Sequence, residues 1–89
     1  MKFQPEVIEN ASVETNDNMS LILWNDDHNS FDYVIDAIIS ICGHEQLQAE
    51  QCALLAHTNG KAVLKRGNFT ILNQMDRSFA DCGISTSVV

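Results

Sequence analysis

The stretch Leu21-Ile22-Leu23-Trp24-Asn25-Asp26-Asp27-His28-Asn29-Ser30-Phe31 constrains this chain more than any other. Four large apolar residues run straight into five polar ones, Asn25 to Asn29, and a helical pattern starts at once after them. Residues 19–24 read as a strand, with Met19, Leu21 and Leu23 on one face and Ile22 and Trp24 on the other. Apolar residues on both faces predict a well-covered strand. The strand must therefore sit inside a layered domain, and it ends in a dense group of carboxylate, amide and imidazole side chains.

Local signals order the rest. Ser30 is placed to cap a helix and Asp32 suits the positive end of its dipole. Phe31, Val34, Ile35, Ile38 and Cys42 recur at helical spacing, and Gly43 is a stop. Residues 44–57 predict a second helix. Leu47, Cys52, Leu54 and Leu55 form its apolar surface, Glu45 and Glu50 its polar side, and Ala49, Ala53 and Ala56 allow close approach. Thr58-Asn59-Gly60 marks a turn. Ala62-Val63-Leu64 reads as a short strand broken by Lys65-Arg66-Gly67-Asn68. A third helix is expected from about Phe69 to Cys82, with Leu72, Met75, Phe79 and Cys82 as its stripe and Gly83 as its end. Ile84 to Val89 alternates as a half-buried strand does. The order β-α-α-β-α-β is that of an α+β, two-layer domain: a three-stranded antiparallel sheet covered on one face by three helices.

Residues 1–18 differ in composition. Glu6, Glu9, Glu14 and Asp17 against Lys2 give −3, with few large apolar residues. They read as a flexible acidic arm ahead of a domain at 19–89. The domain carries the other −4 of the −7 total and has no lysine–arginine cluster, which argues against nucleic acid as a partner. Cys42, Cys52 and Cys82 lack a CxxC spacing and fall on apolar sides of helices, the pattern of buried reduced thiols. With no signal-like N-terminus and no apolar run able to span a bilayer, the expected setting is the cytoplasm, without membrane attachment.

Asn25, Asp26, Asp27, His28 and Asn29 offer acceptors beside apolar helix faces. His57, at the far end of the second helix, returns towards them if the two helices form a hairpin. A primary ammonium with an apolar tail suits such a site: it has donors only, and its tail needs a small apolar pocket. Capture of a free protein N-terminus is a recurring recognition mode. Other readings stay open. One is a plain strand-to-helix loop with Asx turns, in which Asp27, His28 and Asn29 serve turn geometry. Another is a metal site from Asp26, Asp27, His28 and His57, although the spacing matches neither an EF-hand nor HExxH. His44 stands alone at a helix start and is expected to be exposed. There is no G-x-S-x-G and no P-loop, so nothing points to an enzyme or a cofactor.

Two segments resemble the ClpS family of Clp protease adaptors. One is Leu23-Trp24-Asn25-Asp26-Asp27 followed by Phe31-Asp32-Tyr33-Val34-Ile35. The other is Ala56-His57-Thr58-Asn59-Gly60-Lys61-Ala62, similar to that family's H-x-x-G-K-A segment. The resemblance spans residues 19–89 in element order and is strongest over 21–64. It implies a non-enzymatic adaptor that binds substrates with a free N-terminal Leu, Phe, Tyr or Trp (N-degrons). The adaptor hands them to an Hsp100-type AAA+ unfoldase of the Clp protease. By position, Asn25, Asp26 and His57 would hold the α-amino group. Phe31 would stand as gatekeeper where the family usually has methionine. Val34, Ala53 and Ala56 would line the side-chain pocket, with Ala53 in place of a frequent methionine. The arm would engage the unfoldase. Ser30 and His28 replace a common proline and tyrosine. The third helix and last strand are shortened, and the region after Gly67 lacks the acid and lysine used for docking. The alternative is a partner-binding module of ribosomal-stalk-like build, whose Gly- and Lys-rich helix-turn region is acidic here.

Overall fold

The computed structural model describes residues 18–89. The acidic arm expected at 1–18 lies, except for Asn18, outside them. The elements run β1 (Met19–Trp24), α1 (Phe31–Cys42), α2 (Gln46–Asn59), β2 (Lys61–Gly67), α3 (Phe69–Asp81) and β3 (Thr86–Val88). The strands form one antiparallel sheet in the order β2-β1-β3. The apolar run therefore becomes the central strand, with both of its hydrogen-bonding edges occupied.

Side-chain caps start α1 and α3. The Ser30 hydroxyl accepts from the Tyr33 N–H at 3.1 Å, and the Asn68 side-chain oxygen accepts from the Ile71 N–H at 2.9 Å. Gly43 closes α1 by donating to the Ile39 carbonyl. Leu21, Leu23, Ile38, Leu72 and Phe79 are the large, fully buried side chains of the core.

The second helix departs from its expected face. Leu47, Leu54 and Leu55 are 66 %, 53 % and 45 % exposed, and the buried residues are Ala49, Ala53 and Ala56. The alanines fall at i, i+4 and i+7, and their small side chains bring the helix backbone close to its neighbours. The large leucines are left outside.

The second strand runs on past its expected break. Lys65 and Arg66 pair with Leu21 and Ser20, and the Arg66 guanidinium donates to the Ser20 hydroxyl at 3.1 Å. On an edge strand such charges reach water at no cost to the ladder. Leu64 is the extra residue of a bulge between the Leu21 and Ile22 pairings. The half-buried His44 ring lies 2.6 Å from its carbonyl, a bond that the ring nitrogen donates, so His44 is not the exposed residue expected. The second face of β1 is covered at Ser20 and Ile22, each 7 % exposed, as expected, and opens at the strand's last residue. Trp24 there is 40 % exposed and donates to the Ser87 hydroxyl at 2.7 Å, with the Lys61 ammonium 5.8 Å from its ring centre. The last strand's ladder is shorter than 84–89, but backbone bonds continue from Ser85 to Val89.

Gly60 carries the turn that brings α2 back to the loop after β1. Its φ is +93°, its N–H donates to the Ala56 carbonyl, and its own carbonyl accepts from the Asn25 N–H at 2.9 Å. An added Cβ would meet nothing within 4 Å, so the cost of a side chain there is conformational alone. Gly60→Ala is expected to destabilise the fold by about 1–2 kcal/mol, measured as a lowered melting temperature.

Candidate functional site

The loop Asn25–Ser30 is held at both ends. At one end the Asn25 N–H bonds the Gly60 carbonyl, and at the other Ser30 caps α1. Because Gly60 immediately follows α2, the first tether places His57, three residues earlier, beside Asn25. A cavity of about 370 Å³ opens between loop and helices. Asn25, Asp26, Asp27, Asn29 and His57 supply its polar lining. Leu23, Val34, Ala53 and Ala56 form buried apolar walls, joined by the exposed Trp24 and Phe31.

All seven residues singled out from the sequence line this one cavity: Asn25, Asp26, His57, Phe31, Val34, Ala53 and Ala56. Leu23, Trp24, Asp27 and Asn29 line it too. Their signal was their place in or beside the polar run, although nothing in the run told a turn-former from a cavity wall. Phe31 is 45 % exposed. Alanine at both 53 and 56 leaves the interior roomy.

The two aspartates differ sharply. Asp26 is consumed by its own loop. Its Oδ1 accepts from the His28 and Asn29 N–H groups at 2.7 and 3.0 Å, and its Oδ2 from the Asn29 amide at 2.6 Å. Burial pushes its carboxyl up, but the Asn29 side chain, the two N–H groups and the His28 charge outweigh this and hold it below its ordinary value. A carboxylate has about four acceptor sites, so roughly one remains open, on Oδ2. Among the described residues, Asp27 accepts only a long 3.5 Å bond from Asn25, and it is exposed.

His28 does not line the cavity. Among the described residues, no three His, Cys, Asp or Glu side chains are grouped to hold a metal ion. The metal alternative drawn from Asp26, Asp27, His28 and His57 is therefore not assembled. The cysteines are free thiols, but only Cys42 is buried, with Cys52 and Cys82 half-buried. Burial pushes the Cys42 thiol up to about 11 despite the opposing charge of Lys65, and it raises Cys52 as well. Neither thiol is an activated nucleophile. No described helix is long and apolar enough to cross a membrane.

The family model for the ATP-dependent Clp protease adaptor protein ClpS matches residues 14–81. The chain belongs to the ClpS family. Its fold is also that of a solved ClpS protein, Agrobacterium tumefaciens ClpS2 bound to L-phenylalaninamide. The TM-score is 0.77 at 17 % identity, over 80 % of this chain and 93 % of that one. A ClpS fold thus persists here with few shared residues.

Proposed function

We propose that this ClpS-family chain binds proteins through a free N-terminal amino group bearing a bulky apolar first side chain, Leu, Phe, Tyr or Trp. We further propose that it delivers them to a Clp-type AAA+ unfoldase. One observation carries the reading: acceptors line one part of the same cavity whose other walls are apolar. The ammonium needs the first and the side chain the second. L-phenylalaninamide, the ligand of the similar ClpS2 structure, combines those two groups.

The acceptors divide the work unequally in this reading. Asn25 offers its side-chain oxygen and His57 a ring nitrogen. The sequence put the carboxylate role on Asp26. The spare lone pairs lie mainly on Asp27, so Asp27 takes the larger share of the ammonium, and Asp26 adds one open site and its charge. Phe31, Val34, Ala53 and Ala56 close around the side chain.

The deciding experiment titrates a labelled peptide beginning with Phe or Leu against its N-acetylated twin. The free amine is expected to be clearly preferred. Equal affinity would overturn the reading.

A further inference from the structure

One hydrogen bond of Asp26 continues through Asn29 to the turn after α3. The Asn29 amide nitrogen donates twice, to Asp26 Oδ2 at 2.6 Å and to the Gly83 carbonyl at 3.0 Å. Beside it, the Tyr33 hydroxyl donates to the Cys82 carbonyl at 2.8 Å. Two successive carbonyls just past α3 thus receive donors from the recognition loop and from the first turn of α1. The Cys82 carbonyl, at the C-cap of α3, lacks a helical partner and lies at the negative end of the helix dipole, so the Tyr33 hydroxyl is well placed to donate to it.

Among the described residues, the loop has between its two ends one side-chain tether to a distant part of the chain, and that tether is Asn29. Asn25 and Asp27 flank Asp26 directly, so whatever fixes Asp26 also fixes them. We propose that Asn29 is a positioning residue for amine recognition. It clamps Asp26 to the end of α3 and so holds Asn25 and Asp27 in the geometry that meets the ammonium. This rests on the amine-binding reading of the cavity. A loop already in its bound conformation loses less freedom when ligand arrives, and the Asn29 amide nitrogen, bonded to both Asp26 and Gly83, supplies that order.

Asn29→Ala in the full chain tests the assignment, with Phe-initiated peptide and its N-acetylated twin both measured by competition so that weak binding is scored. The free-amine peptide is expected to weaken about tenfold, the worth of one hydrogen bond to a charged group. The acetylated twin is expected to change little, so that the ratio between them falls about tenfold. Tyr33→Phe removes the neighbouring tether but leaves Asp26 clamped, and is expected to keep the wild-type ratio. Asn29→Ser retains turn chemistry but is too short to span Asp26 and Gly83. It is expected to behave as Asn29→Ala, and it serves if the alanine variant fails to fold. An unchanged ratio in a folded Asn29 variant overturns the assignment. A wild-type ratio of one instead overturns the amine reading itself.

Discussion

Phe79→Ala is expected to lower the melting temperature by about 15–30 °C. Phe79 is the one aromatic ring fully buried among the described residues, and it shares a single core cluster with Leu21, Leu23, Ile38, Leu72 and Ile84. α2 gives that core only alanine side chains at its fully buried positions, so the interior depends on a few large groups. Removing a buried phenyl ring costs about 3–5 kcal/mol through lost transfer energy and the cavity left behind. A domain of roughly 70 residues is stable by only about 4–10 kcal/mol. The variant should therefore populate the unfolded state visibly in urea or thermal unfolding. Phe31→Ala removes a half-exposed ring and should leave the melting temperature nearly unchanged. A fall of less than about 5 °C for Phe79→Ala would show that the core collapses around the gap. The same substitution should weaken peptide binding, since the end of α3 carries the carbonyls that tether Asn29 and Tyr33.

The element order was legible because this chain punctuates itself well. Ser30 and Asn68 cap the starts of α1 and α3, and Gly43 and Gly60 close α1 and α2. What failed did so for physical reasons. Leu47, Leu54 and Leu55 lie on different sides of α2 from its alanines, and size alone does not say which side is buried. Close approach of the backbone decided for alanine. Lys65 and Arg66 suggested a break because charges rarely sit within a strand, yet an edge strand has a solvent side to receive them. The ClpS-like motifs gave the ammonium to Asp26 and turn geometry to Asp27, whereas the loop's own hydrogen bonds fall mainly on Asp26. Adjacent identical residues differ only in where the turn points them, and that depends on the His28 and Asn29 N–H groups and on a carbonyl fifty-four residues from Asn29.

That difference predicts that Asp27→Ala and Asp26→Ala have distinct signatures. Asp27 takes little part in the loop's own bonding, so Asp27→Ala should leave the melting temperature within a few degrees of wild type. It removes a charge-assisted acceptor for the ammonium, worth about 1.5–3 kcal/mol, or roughly ten- to a hundredfold in affinity. N-acetylated peptide, which lacks the charge, should lose almost nothing. Asp26→Ala should weaken the free amine as well, but through a different route. It strips three donors of their shared acceptor and costs about 1 kcal/mol of stability, a low-end figure because water reaches this half-buried loop. The pH dependence separates the two further. Burial raises the Asp26 carboxyl, and the Asn29 and His28 bonds lower it by more, so its folded pKa lies below the ordinary 3.8. A depressed carboxyl contributes stability that is complete above roughly pH 4 and is lost as pH falls through the folded value. The melting temperature of wild type minus that of Asp26→Asn should therefore be positive near neutrality and shrink towards zero in acid. A constant difference from pH 6 to pH 2 would show that the Asp26 bonds do not depend on its charge. Equal losses for both peptides in Asp27→Ala would remove Asp27 from the ammonium.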